Sequence, residues 1–310
     1  MIICVFLIGL LIFGFYQSKK NKSLDDFILT GNNTSWITSM FSIVATETSV
    51  LTFISVPGIS YRGDWTFLQL ALGYIFGRIL VSLFLLPIFF KKGVSSIYEV
   101  LQESFGATVQ KLASFTFLIT RLLADSVRFL ATAIILQSIT GWSIAYSVIL
   151  IASVTLFYTL LGGLRAVIKV DAFQFIIYLI SGFICIFYLY QNIDITFTES
   201  IHLLHTSNKI NIFDFSGSFF NNPFMFFSAF IGGTMLSFAS HGADYMMVQR
   251  VLATKNLNSA KKAMIGSGFF VFLQFSIFLF IGSLIYLVGD CNYIDKDKEI
   301  TYVLDTFIPI

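Results

Sequence analysis

The stretch from Trp36 to Tyr61 is long enough to cross a bilayer, yet it carries a carboxylate (Glu47), hydroxyls at Thr38, Ser39, Ser42, Thr46, Thr48, Ser49, Thr52 and Ser55, and a terminal Pro57-Gly58. A helix of that composition invites interruption. Lipid cannot satisfy a freed backbone carbonyl, so such a span is tolerable only where it faces protein or a water-filled cavity. The chemistry it offers is oxygen ligation of a hard cation, or hydrogen bonding to a polar solute. A second group is Arg121, Asp125 and Arg128, at i, i+4 and i+7 of another apolar stretch. Each charge costs about 2.5–3.5 kcal/mol at mid-bilayer on insertion scales, so the three must face inward. They share one helical face, and Asp125 can pair with either arginine. Either one arginine receives a substrate carboxylate as a bidentate fork, or the cluster is structural and self-neutralised. Three charges leave one net positive, which keeps an anionic substrate in play.

The elements that must position these residues follow from composition. With 56% hydrophobic and only 12% charged residues, the 310-residue chain has too little polar surface for a soluble globule and reads as an integral membrane protein. Apolar stretches at 2–16, 36–59, 66–90, 112–139, 142–161, 170–190, 222–241 and 263–289 make eight spans of one all-α, polytopic transmembrane domain over 1–310. The first is short and could be read as a signal peptide. It has no basic residue before it and no small-residue cleavage site after it, so it is kept as a span.

Basic residues set the orientation. With the N-terminus outside, the inner connections hold Lys19, Lys20, Lys22, Lys91, Lys92, Lys111, Arg165, Lys169, Arg250, Lys255, Lys261 and Lys262, against Arg62, Lys209, Lys296 and Lys298 outside. The chain is therefore expected to be a multi-pass protein of the cell (inner) membrane with its N-terminus outside. Cys4, Cys185 and Cys291, like the three histidines, are dispersed and give no disulfide framework or metal-ligand spacing. No nucleophile triad or phosphate loop stands out, so an enzyme is disfavoured and no cofactor is expected. A net charge of +2 gives no hint of a nucleic-acid partner.

Two spans look interrupted. Besides 36–61, the segment 222–250 is rich in Ser, Thr and Gly, broken by Gly232-Gly233 and by Ser237-Phe238-Ala239-Ser240-His241-Gly242. Paired broken helices at corresponding positions of two halves point to the central site of a secondary transporter.

The residues also resemble the sodium/solute symporter family over nearly the whole chain. The most specific likeness runs from Gly141 to Ala166, with Gly141, Ile144, Tyr158, Thr159 and Gly162-Gly163-Leu164-Arg165-Ala166. Next come Ala166-Val167-Ile168-Lys169-Val170-Asp171-Ala172-Phe173-Gln174, Leu24-Asp25-Asp26-Phe27-Ile28-Leu29-Thr30-Gly31 and Asp244-Tyr245-Met246-Met247-Val248-Gln249-Arg250. The resemblance implies a LeuT-like five-plus-five inverted-repeat fold, with the first repeat complete (spans two to six) and the second incomplete. On that pattern the chain stops after span eight and lacks the span whose hydroxyls complete the sodium site. It is then a piece of a longer protein, a frameshifted or split gene, or one whose remainder another chain supplies.

The resemblance further implies sodium as coupling ion and only metal, held by a half-site of the Ala45 and Thr48 carbonyls, with Asp171 as the acid of span six. Small-residue packing is the alternative for Ala45 and Thr48. For Asp171 the alternative is an interfacial pair with Lys169. Substrate-binding candidates are Glu47, Thr52, Gln69, Arg121, Arg128, Ser237 and Ser240. Glu47 stands where sugar-carrying members have a neutral amide, Thr52 where they have a glutamine and Ser240 where a tyrosine gate is expected, so a hexose pocket is not implied. Glu47 could bind a second cation or an amine, be protonated, or pair with an arginine such as Arg78. The expected function is sodium-coupled uptake of a small organic solute, with a carboxylate-bearing one, an acidic sugar or organic acid, as the first expectation. The alternatives are a non-transporting sensor or inactive fragment, and proton coupling through Glu47 or Asp171.

Overall fold

The computed structural model describes residues 2–19, 23–94 and 96–288. Lys20, Lys22, Cys291, Lys296, Lys298 and the end of the eighth stretch at Gly289 lie outside them. The α-helices among the described residues are α1 (Ile2–Ser18), α2 (Leu24–Leu29), α3 (Trp36–Glu47), α4 (Val50–Arg62), α5 (Phe67–Leu80), α6 (Leu86–Lys92), α7 (Ile97–Phe105), α8 (Ala107–Thr140), α9 (Ile144–Gln191), α10 (Phe197–Thr206), α11 (Phe226–Ala243), α12 (Tyr245–Leu252) and α13 (Leu257–Val288). Among these residues the stretches Phe67–Lys92, Ala107–Thr140, Ile144–Gln191 and Leu257–Val288 are each long and apolar enough to cross a membrane, and α3 with α4 would make a bent fifth. α5 and α6 are joined by a π-helical turn, Val81–Leu85, just ahead of Pro87, whose missing N–H disturbs the regular ladder. α9 carries both the fifth and the sixth apolar stretches, which part at Gly163, where φ is 61° and ψ −165°.

The described chain passes repeatedly between two compact units. The first is drawn from Met1–Val50, Val81–Gln174 and Ser240–Met264. Its buried apolar residues include Ile43, Val44, Ala166, Ile168, Ala253 and Met264. The second is drawn from Leu51–Leu80, Phe175–Ala239 and the described residues from Ile265 onward. There Phe53 meets the rings of Tyr178 and Phe278 at centroid distances of 5.6 and 5.3 Å. Arg78 is fully buried and donates from Nη1 to Ser267 Oγ at 2.7 Å.

The glycines and prolines flagged as breakers do something else in this unit. Pro57-Gly58 lies inside the unbroken α4, and Gly232-Gly233 inside the unbroken α11. The Pro57 carbonyl and Gly233 each sit at a close helix approach. A Cβ on Gly282 would strike the Pro57 carbonyl, and one on Gly233 would strike that of Leu70. Ser60 Oγ reinforces the first contact by donating to Leu279 O at 2.5 Å. Small residues let helices approach until dispersion and polar contacts hold them, the means available where apolar lipid supplies no hydrophobic drive.

Candidate functional site

The interruptions fall at different residues. α3 ends at Glu47, and Thr48 turns to extended backbone (φ −75°, ψ 124°) before α4 begins at Val50. Thr48 ends the helix with its own groups: its N–H and its hydroxyl both donate to Val44 O, at 2.9 and 2.8 Å. A hydroxyl that competes for the backbone in this way favours a helix end. In general the last turn of a helix presents carbonyls that a continuing helix would have paired. The second break falls at Asp244 (φ −73°, ψ 123°), whose carboxylate caps α12 by accepting from Met246 N at 2.8 Å and Met247 N at 3.3 Å.

The end of α3 lines a cavity of about 740 Å³ within the first unit. Ala45, Thr48, Arg121, Arg128 and Asp171 all line it, which brings together five of the site residues expected from sequence. Carbonyls at a helix end suit a hard cation such as sodium, which exchanges hydration for oxygen ligands. Asp171 is differently engaged. Its Oδ2 accepts from Arg250 Nη2 at 2.9 Å, from Ser42 Oγ at 2.8 Å and from Thr46 Oγ1 at 3.4 Å. The expected alternative partner, Lys169, instead reaches Gln17 Oε1 at 3.4 Å, because it projects from α9 in another direction two residues earlier. Arg250 is itself tied down, with Nε donating to Ser42 Oγ at 2.9 Å and Nη1 to Met246 O at 2.7 Å.

The charged face of α8 holds four groups, not three. Arg121 Nε lies 3.0 Å from Asp125 Oδ2, Arg128 Nη1 lies 3.7 Å from Asp125 Oδ1, and Asp244 Oδ2 approaches Arg121 Nη1 at 3.7 Å. The net positive charge counted along α8 is therefore neutralised by Asp244 from the α11–α12 break. Arg128 is the looser guanidinium, its side chain 38% exposed against 18% for Arg121. Tyr98 of α7 stacks on Tyr245 at 6.1 Å, and burial, then the Asp244 charge, pushes its phenol up to about 12. It stays protonated at neutral pH.

Segments that matched in sequence hold this site. At Gly163 the φ/ψ pair is one that essentially only glycine adopts, and a Cβ would lie 2.7 Å from the Phe27 ring and 2.8 Å from its carbonyl. Beside it, Arg165 Nη2 donates to Thr30 O at 3.0 Å and lies 3.4 Å from Asp26 Oδ1. From α12, Gln249 Nε2 donates to Ile28 O at 2.9 Å. α2 is thus clamped from α9 and α12, and the segment it opens leads into α3. Arg250, Ser42 and Thr46 were missed as site residues, although Arg250 closes the Asp244–Arg250 motif.

The remaining candidates are elsewhere. Glu47 Oε2 lies 3.7 Å from Nε2 of the buried His241, and Ser240 Oγ is 3.0 Å from its Nδ1. Thr52, Gln69 and Ser237 belong to the second unit. There Gln69 is a backbone clamp: Nε2 donates to Thr66 O and Phe224 O at 3.1 and 2.8 Å, and Oε1 accepts from Asp214 N at 3.1 Å. Ser237 Oγ donates to Tyr74 O at 3.0 Å. Both ends of the Gln69 amide are thus engaged by backbone groups.

Comparison with known proteins decides the family. The model of the sodium:solute symporter family matches residues 27–300. The chain belongs to the sodium:solute symporter family. It is a multi-pass membrane protein, and the family is one of transporters rather than enzymes. Similar proteins include the human sodium/iodide cotransporter (26% identical over 264 residues, 84% of this chain and 40% of that protein) and human sodium-coupled monocarboxylate transporter 2 (28% over 256 residues, 83% and 41%). The sodium/sialic acid symporter NanT of Aliivibrio fischeri is 27% identical over 276 residues, 88% of this chain and 54% of that one. The chain thus spans about half or less of the length of these relatives. A solved structure of a Na+-coupled sialic acid symporter, substrate-bound and outward-open, superposes with a TM-score of 0.88 at 23% identity, covering 98% of this chain and 66% of that one, so the symporter shares its fold.

Proposed function

We propose that the protein to which these residues belong couples sodium entry to uptake of a small carboxylate-bearing solute, as a multi-pass protein of the cell (inner) membrane with its N-terminus outside and these residues forming eight spans. One observation carries the reading: a single cavity is lined by the last turn of α3 and by Arg121 and Arg128. Cation ligands and an anion fork then face one space. In this reading the Ala45 and Thr48 carbonyls bind sodium as it enters, and Arg128, the less engaged arginine, receives the solute carboxylate. The names of similar proteins, which include monocarboxylate and sialic acid carriers, support an anionic solute. Coupling is linkage: each ligand tightens the other by the same factor. Asp171 lies on the way out, where Arg250 competes with the cation for its carboxylate and favours release.

For one ion, about 100 mV contributes roughly 2.3 kcal/mol, and a tenfold gradient adds about 1.4 kcal/mol. Together these would support on the order of several-hundred-fold accumulation of a neutral solute, whereas one sodium carried with one carboxylate moves no net charge and accumulates it only about tenfold, on the chemical gradient alone. The test is uptake of radiolabelled pyruvate and sialic acid into proteoliposomes holding the protein expressed from its native locus, with and without a sodium gradient. Sodium-independent uptake, or none of either acid, would reject the assignment. A second reading, proton coupling, draws on the Glu47–His241 pair; it requires uptake to follow pH at fixed sodium.

A further inference from the structure

A smaller cavity of about 370 Å³ opens beside the first turn of α3, lined by Thr30, Thr34, Ser35, Thr38, Arg165 and Lys169 with the amide of Asn33. Among the described residues no carboxylate lines it. Arg165 and Lys169 are four residues apart on α9 and share one face. Thr30 and Thr34 hydroxyls are 2.8 Å apart, and Ser35 caps α3 by accepting from Thr38 N at 3.4 Å. Two cations, four hydroxyls and the positive end of a 12-residue helix therefore converge on one space. Asp26 offsets part of the Arg165 charge from 3.4 Å, and Lys169 Nζ also donates to Gln17 Oε1 at 3.4 Å.

We infer that this cavity binds a phosphate group, held by Arg165 as a planar fork, by Lys169 as a point charge and by the Thr34–Thr38 hydroxyls. Guanidinium, ammonium and hydroxyl donors are the set that a tetrahedral oxyanion uses. The group could belong to an anionic lipid headgroup or to free phosphate; both present the same oxygens. Bound there, it ties the start of α3 to α9 and so steadies the helix whose far end carries Ala45 and Thr48.

The test uses the protein expressed from its native locus, delipidated in nonionic detergent. Equilibrium dialysis with radiolabelled inorganic phosphate and native mass spectrometry after adding phosphatidylglycerol or phosphatidylcholine distinguish the sources. Saturable phosphate binding that Lys169→Gln weakens about tenfold or more, as loss of one charge-assisted contact would, identifies free phosphate. Retention of phosphatidylglycerol but not phosphatidylcholine, lost in Lys169→Gln, identifies a lipid headgroup. Arg165 also holds Thr30 and Asp26, so Arg165→Gln can unfold the α2 region; Lys169 is exposed, and its variant keeps the test readable. No binding of either probe, or binding unchanged in Lys169→Gln, overturns the inference.

Discussion

Arg250 meets Asp171 at 2.9 Å, from a side chain 3% exposed to one 15% exposed, and Ser42 bonds to both. Three helices, α3, α9 and α12, are joined at that point. Removing one partner of a buried pair leaves an uncompensated charge, which costs roughly 3–5 kcal/mol, whereas replacing both can be close to neutral. Asp171→Ala is therefore expected to lower thermal stability in detergent sharply, and Asp171→Ala with Arg250→Met to recover most of it. A double variant less stable than Asp171→Ala would show that the two residues stabilise independently.

Gly163 and Gly93 both have positive φ, 61° and 64°, but differ in surroundings. A Cβ on Gly93 would meet nothing within 4 Å, so Gly93→Ala is expected to cost only the left-handed strain of about 1–2 kcal/mol. Gly163→Ala adds a clash with the Phe27 carbonyl and ring and should abolish the monodisperse peak in fluorescence-detected size-exclusion chromatography. Equal behaviour of the two variants would refute this account of the α9 kink.

Arg121 has two carboxylates within 3.7 Å, whereas Arg128 has a looser hold on one of them. Arg128→Gln is expected to raise the KM for a carboxylate solute at least about tenfold, near 1.4 kcal/mol, at unchanged protein yield. Arg121→Gln should chiefly reduce yield, by leaving Asp244 and Asp125 unbalanced. Uptake kinetics with expression levels measured in parallel decide it; an unchanged KM in Arg128→Gln would remove it from the site.

Between α9 and α11, Thr196 and Glu199 form a capping box on α10. The Thr196 N–H and then its hydroxyl, both 2.8 Å from Glu199 Oε2, hold that carboxyl below its ordinary range. A depressed value means that the charged form favours the fold. Its contribution is complete above the unfolded value of about 4.3 and is lost as pH falls through the lower folded value. Asp214, held down by the Ser216 hydroxyl and N–H, follows the same sign. Hydrogen exchange over 197–206 should be faster in Glu199→Ala than in the parent at pH 7, with the difference closing below about pH 4. A difference constant down to pH 3 would count against the carboxylate's role.

Some of the site was legible because its cost is local. A charge or hydroxyl in an apolar stretch must face inward whatever the rest of the fold does, and Ala45, Thr48, Arg121, Arg128 and Asp171 do line one cavity. The breaks were misplaced for a related reason. Proline and glycine are local breaker signals, but at Pro57 and Gly233 the helix runs on, and close packing is permitted instead by Gly282 against the Pro57 carbonyl and by Gly233 against that of Leu70. The breaks at Thr48 and Asp244 rest on hydroxyl and carboxylate side chains that take over helix-end groups, a choice open to many such residues.

The sequence by itself determined the membrane class, the polar faces and the family motifs, because transfer free energies and backbone propensities act over a few neighbouring residues. Only the tertiary structure decided the pairings. Asp171 finds Arg250 across 79 residues instead of its near neighbour Lys169, and Ser42 joins them from 208 residues before Arg250. Asp244 enters the α8 cluster from the far side of a helix break. Electrostatic partners are set by distances through space, and no periodicity along the chain encodes those.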